Sequence, residues 1–187
     1  MFIRRALPLV LAILWLWPAS LHAQSEALLE VYRQGQALYE AGRYEQANPF
    51  YREALELGEQ EFGPDHPTTA TLLNNLAFLY DAQGRYAKAE PLYRRALANR
   101  EEVLGSEDLE VAMSLWTLAI EYLGQGRYDE SELLHKRALA IWEQTYGPEH
   151  VLVAATLNNL AALYSVQRRS QHSILLEGVD MALAIHG

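Results

Sequence analysis

The tripeptide Gly-Arg-Tyr occurs at residues 42–44, 84–86 and 126–128, and the spacing of 42 between copies constrains the chain more than any other feature. The same offset relates Ala54, Ala96 and Ala138; Leu55, Leu97 and Leu139; and Gly63, Gly105 and Gly147. It also relates Leu73, Leu115 and Leu157; Leu76, Leu118 and Leu160; Ala77, Ala119 and Ala161; and Tyr80, Tyr122 and Tyr164, all without a gap. A period of this length marks stacked copies of one supersecondary unit, each unable to bury its apolar face alone. The expected product is a short array of repeats.

Each unit reads as two helices. Leu73, Leu76, Ala77 and Tyr80 fall at i, i+3, i+4 and i+7, one apolar stripe at the helical period. Gly84 follows as the residue able to take a left-handed conformation and stop that helix. A second helix from about Tyr86 places Ala89, Leu92, Tyr93, Ala96 and Leu97 on its inner face, and Gly105 ends it. The small alanines allow close backbone approach while tyrosines fill the space beside them. Gly63-Pro64-Asp65-His66-Pro67 and Gly147-Pro148-Glu149-His150 are turns into the next helix, with Pro67 suited to its first turn. The fold class is therefore all-α, built of antiparallel helix pairs.

Leu72-Leu73-Asn74-Asn75-Leu76-Ala77-Phe78-Leu79-Tyr80, Gln83-Gly84-Arg85-Tyr86 and Ala89-Glu90-Pro91-Leu92-Tyr93-Arg94-Arg95-Ala96-Leu97, with the Gly63–Pro67 linker, resemble the tetratricopeptide repeat family. The resemblance is to its 42-residue variety, found in kinesin light chains and many bacterial proteins, and covers residues 26–167. It implies a right-handed α-solenoid whose first helices line a concave groove. The first repeat departs at Gln34 and Leu38, as an N-terminal cap would. In the fourth, Arg168-Arg169-Ser170 replaces Gly-Arg-Tyr, and Ala182-Leu183-Ala184-Ile185 echoes Ala138-Leu139-Ala140-Ile141 at an offset of 44. The expected organisation is three full repeats and the first helix of a fourth over 24–167, then a degenerate fourth-repeat helix or C-terminal cap over 168–187.

On such a solenoid the groove-facing positions hold Asn74, Asn75, Phe78 and Asp81, then Trp116, Thr117, Ile120 and Leu123, then Asn158, Asn159, Ala162 and Ser165, with Tyr32, Gln36 and Tyr39 on the entry helix. Asparagine is a mediocre helix former, so two Asn-Asn pairs inside helices call for an explanation. An amide can pair with the backbone of an extended peptide, and the resemblance makes Asn75 and Asn159 the best matches to groove asparagines. The alternative is that one asparagine of each pair bonds a neighbouring helix. Trp116 reads equally as an anchor for a partner's apolar side chain or as packing against the adjacent helix. None of these positions carries lysine or arginine, which speaks against a clamp for acidic tails and for a neutral-to-basic partner.

The net charge of −9 argues against binding nucleic-acid phosphates, and the absence of cysteine excludes disulfides, thiolate metal sites and cysteine nucleophiles. No phosphate loop, nucleophile elbow or His-Glu-x-x-His helix is present. Nothing points to a cofactor or a metal. His66 and His150 sit beside acids at equivalent linkers, where the acids are expected to cap the next helix. His135 takes a tyrosine position on a core stripe and reads as a core histidine bonded at its edge. Arg43, Arg85 and Arg127 are expected to pair with acids of neighbouring repeats.

The two ends differ from the array. Residues 1–23 join Arg4 and Arg5 to the apolar run Ala6–Trp17 and a small residue before Gln24, the pattern of a secretory signal peptide. The run of 12 is short against the roughly 20 residues of a membrane-spanning helix. Its removal leaves 13 Lys+Arg against 24 Asp+Glu, a net of −11, and implies an exported protein, periplasmic or extracellular, without stable membrane insertion. Ile174, Leu175, Leu176, Val179, Met181, Leu183 and Ile185 make the other end apolar on nearly all sides of any helix it forms. The expected function is a non-catalytic scaffold that holds a protein or peptide segment in the groove. The alternative is a homo-oligomeric structural subunit using the apolar C-terminal segment.

Overall fold

The structure, a computed structural model, describes residues 26–186, with side chains over 26–168, and glycines and caps decide where each helix stops and starts. Among the described residues there are seven helices and no strand: α1 (Glu26–Glu40), α2 (Tyr44–Phe62), α3 (Pro67–Ala82), α4 (Tyr86–Leu104), α5 (Leu109–Gly124), α6 (Tyr128–Tyr146) and α7 (Val151–His186). The leader assigned to residues 1–23 lies outside the described residues, as do the side chains of the apolar C-terminal segment.

First helices end in a left-handed glycine. Gly42, Gly84 and Gly126 sit at φ of 71°, 70° and 76°. The next N–H returns to a carbonyl five residues back, Arg43 to Leu38, Arg85 to Tyr80 and Arg127 to Tyr122, at 2.8–2.9 Å. This closing bond satisfies a terminal carbonyl while the chain reverses into the second helix.

First helices begin with a side-chain cap, and here the structure corrects the expectation. Thr68 N–H donates to His66 Nδ1 at 3.1 Å, Glu110 N–H to Asp108 Oδ1 at 2.7 Å, and Leu152 N–H to His150 Nδ1 at 3.3 Å. The caps are therefore His66 and His150, with Asp108 at the equivalent place; Asp65 and Glu149 stand one residue too early to occupy the N-cap position. The histidine rings also stack on the preceding helix ends, His66 on Phe62 at 5.1 Å and His150 on Tyr146 at 4.2 Å. Among the described residues no cluster of three or more His, Asp or Glu is arranged to hold a metal ion.

The helices form two layers. Within the odd-numbered layer Asn75 of α3 bonds Tyr32 of α1, and α5 touches α7. The even-numbered layer carries a repeated ion pair, Arg95–Glu59 at 2.7 Å and Arg137–Glu101 at 2.6 Å, between successive second helices. Leu73, Ala77, Leu115, Ala119, Ala89, Ala96 and Ala138 between the layers are all fully buried. Arg85 and Arg127 reach acids of the preceding repeat, Glu45 at 3.8 Å and Glu90 at 2.8 Å, and lie over the rings of Tyr80 and Tyr122.

The fourth repeat breaks the pattern. Arg168-Arg169-Ser170 offers no glycine for the reversal, and α7 runs through that point as one helix of 36 residues. Leu157 is 47% exposed and Tyr164 44%, whereas their counterparts Leu115 and Tyr122 are 0% and 3% exposed. No helix among the described residues is long and apolar enough to cross a membrane.

Candidate partner-binding groove

The odd-numbered layer carries the residues that the sequence assigned to a groove, and their surroundings divide them into two groups. Asn74, Phe78, Asp81, Trp116 and Ile120 are half-buried, and Asn158 is exposed. These six keep surface on which a partner could bear. Asn75, Asn159 and Thr117 are instead engaged within the fold.

Asn75 donates its amide to the hydroxyl of Tyr32 at 3.0 Å, across the first repeat boundary. Asn159 faces His135 Nε2 at 3.3 Å, across the last. His135 is fully buried; its Nδ1 lies 3.0 Å from the carbonyl of Ser131, and the Ser131 hydroxyl donates to Ala119 O at 2.6 Å. With the Nδ1 proton on that carbonyl, Nε2 is left to accept from Asn159, so the ring is neutral; burial holds its pKa below the usual value. The donors of both asparagines thus tie repeats together, the second of the two roles the sequence left open. Thr117, at the same place in the third repeat, is only 8% exposed and gives its hydroxyl to Met113 O at 2.9 Å. Threonine's short side chain returns to its own helix where the longer asparagine crosses to a neighbour.

Trp116 packs against the central core cluster, and its indole Nε1 is buried without a hydrogen-bond partner. Asn74, one period earlier, has its Oδ1 in the same condition. Phe78 meets Tyr93 edge-on at 5.6 Å, and Tyr32 and Tyr39 both meet Tyr51, at 5.7 and 6.4 Å. Burial, with Glu40 nearby, pushes the Tyr32 hydroxyl up to about 12, so these phenols remain neutral donors. The layer is aromatic and amide-bearing.

One residue escaped the sequence reading. Glu121 stands where the neighbouring repeats have Leu79 and Leu163, both fully buried, and is itself only 5% exposed. Burial, then a hydrogen bond to Asp81 on α3, raises its pKa to about 7, while Gln125 Nε2 donates to its Oε1 at 2.8 Å. A neighbouring carboxylate repels a second negative charge, so Glu121 keeps its proton to higher pH than a free carboxyl does. The signal was available: an acid at a position that is leucine one period to either side.

Beside the pair, Tyr122 donates to Glu90 Oε1 at 3.0 Å and accepts from Arg94 Nε at 2.9 Å, and Arg127 lies over its ring at 3.9 Å. Burial pushes the Glu90 carboxyl up, but hydrogen bonds from Arg127 and Tyr122 outweigh it and hold its pKa below the usual range. Arg127 is further bonded to Glu130. This closed ionic cluster fastens α5 to α4. Two surface depressions, around Gly42–Gln46 and Gly126–Glu130, lie at the reversals.

The sequence profile of the Tetratricopeptide repeat matches residues 25–102, 82–141 and 110–176. The chain belongs to the tetratricopeptide repeat family. Solved structures of such repeats superpose on it at low identity. BtubC (BKLC) from P. vanneervenii is 22% identical, with 98% of this chain and 74% of that one covered at a TM-score of 0.70. A kinesin light chain-type protein of nearly identical TPR-like repeats from Podosopora anserina is also 22% identical, covering 82% and 74% at 0.69. The Yersinia enterocolitica type III secretion chaperone SycD, in complex with a peptide of the translocator YopD, is 17% identical, covering 77% and 97% at 0.58. None of the curated proteins matches the chain in sequence. The all-α tetratricopeptide solenoid and its kinesin light chain-like repeats are thereby established, with the odd-numbered helices as the first helices of the family's helix pairs.

Proposed function

We propose that this tetratricopeptide protein is a non-catalytic scaffold that binds an extended, neutral-to-basic segment of another protein along its first-helix layer. The observation that carries the reading is the surface on successive first helices: Asn74, Phe78 and Asp81, then Trp116 and Ile120, with no lysine or arginine among them. Aromatic and aliphatic groups supply contact area, the amide supplies backbone pairing, and Asp81 supplies the acidic group that favours a basic side chain. The peptide-bound state of the distantly similar chaperone SycD supports the class of ligand.

The test is binding of a panel of extended peptides of matched length and differing charge, with Trp116→Ala and Phe78→Ala as variants. Basic or neutral peptides should bind best, and each variant should weaken binding about tenfold or more, as loss of a central aromatic contact does. Tightest binding by acidic peptides, or unchanged binding in both variants, overturns the reading. We propose in addition that the protein acts outside the cytoplasm, on the strength of the leader pattern at residues 1–23. N-terminal sequencing of the exported protein should then begin near Gln24.

A further inference from the structure

We infer that the chain forms a two-fold dimer in which the C-terminal stretch of α7 from each copy covers the bare inner face of α7 in the other. The argument starts from what α7 lacks. Leu157, Ala161 and Tyr164 repeat Leu115, Ala119 and Tyr122, which α6 covers, yet here all three are exposed. A surface shaped to receive the second helix of a repeat therefore has no helix on it.

The missing helix is written in the same chain. At an offset of 44, Leu175, Val179, Ala182, Leu183 and Ile185 take the places of Ser131, His135, Ala138, Leu139 and Ile141, the inner-face register of α6. That stretch cannot cover its own helix while α7 continues straight through residues 168–170 to His186. A continuous helix of 36 residues is about 54 Å long, which carries the second-helix register well beyond the array.

The register also gives the geometry. In the third repeat Leu115 shares a core cluster with Ala138, and Ala119 accepts from Ser131. Transposed to the fourth repeat, these pairs become Leu157 with residue 182 and Ala161 with residue 175. If the partners sit on a second, antiparallel α7, the pairings centre on residues 168–170, so one two-fold axis satisfies both at once. That axis falls where the reversal would have been. Opening a hinge and exchanging the element between copies keeps the contacts and changes only the chain that supplies them.

The absence of native cysteine makes the test direct. The purified chain, as the expressing cell processes it, should scatter light as a dimer, and Leu157→Glu should shift it to monomer with unchanged helicity. In a Leu157→Cys/Ala182→Cys variant, oxidation should give a covalent dimer on a non-reducing gel. A monomeric wild-type chain overturns the inference, and so does a disulfide closed within one chain, which would place the segment back on its own helix. A dimer indifferent to Leu157→Glu, or one in which the cysteine pair fails to close, overturns the proposed interface as well.

Discussion

Arg100 on α4 donates to the Ser114 hydroxyl on α5 at 2.8 Å, and the same two places one repeat earlier are held by Gly58 and Leu72. There the space above the glycine is filled from the other side: a Cβ on Gly58 would overlap Leu72 Cδ1. One repeat later the pair is Trp142 and Thr156, both buried. The boundary between a second helix and the next first helix is thus filled three ways, by exchanging bulk across it.

The guanidinium of Arg100 also reaches Glu110 at 3.1 Å and Thr71 at 3.0 Å. Arg100→Met should nevertheless cost little, within about 1 kcal/mol, because methionine keeps most of the volume. Ser114 and Thr71 retain their bonds to Glu110 O and Pro67 O, and Glu110 can turn to water. Arg100→Ala removes the volume as well and should cost about 3 kcal/mol. Urea unfolding of the two variants separates the packing role from the ionic one; equal losses would show that the charge, not the bulk, matters.

Gly58→Ala tests the same boundary from the crowded side. Helix propensity favours alanine by about 1 kcal/mol, but the new methyl must displace Leu72, and overpacking of this kind costs about 1–3 kcal/mol. A net loss is expected. In a double-mutant cycle with Leu72→Ala the two losses should fall short of additive by about 1 kcal/mol or more, since each change relieves the other. Strict additivity would separate the two residues energetically.

What was legible in the sequence follows from the physics of the period. Gly84, Leu73 and Ala96 are each fixed by a local rule, a left-handed stop, an apolar stripe or a close helix contact, and such rules repeat with the backbone. Side chains meeting across a repeat boundary obey no such rule, because two positions can trade size and polarity while the backbone stays the same. For that reason the candidate groove residues divide: Asn75 and Asn159 point their donors at neighbouring repeats, and Thr117 folds back on its helix. Glu121 departs from the period, and a departure has no copy in the neighbouring repeats to reveal its role.

The histidine caps offer a second contrast. Asp108 performs in one linker what His66 and His150 perform in the others. His66→Asp should leave stability within about 0.5 kcal/mol, the charge at the helix start compensating for the lost stacking on Phe62. His66→Ala should cost about 1 kcal/mol. The comparison with Asp65→Ala is decisive: thermal unfolding should leave that variant close to the parent, whereas a larger loss than for His66→Ala would return the cap to the acid.

Glu121 makes stability depend on pH in a defined window. Its folded pKa is raised from 4.5 to about 7, so between those values the folded chain binds a proton that the unfolded chain has released. Folded-state proton binding in excess means that stability falls as pH rises. The contribution is complete below 4.5, declines through the interval and is gone above 7, with a total of about 3 kcal/mol at most. The groups acting on it are Asp81 and Glu90, which oppose its ionisation, and Gln125, which favours it. Glu90, Glu130 and Glu132 are shifted downward, so their effects appear below the usual carboxylate value. His135, whose pKa burial lowers from 6.5, acts inside the window with the opposite sign, so the Glu121 contribution is read as the difference between parent and variant. Glu121→Leu restores the residue found at 79 and 163 and removes the acid from the core. The variant should be more stable than the parent at pH 8, and that advantage should shrink as pH falls from 7 to 5 in urea titrations. Parallel pH profiles for the parent and Glu121→Leu through the same interval would show that Glu121 is ionised at its ordinary value.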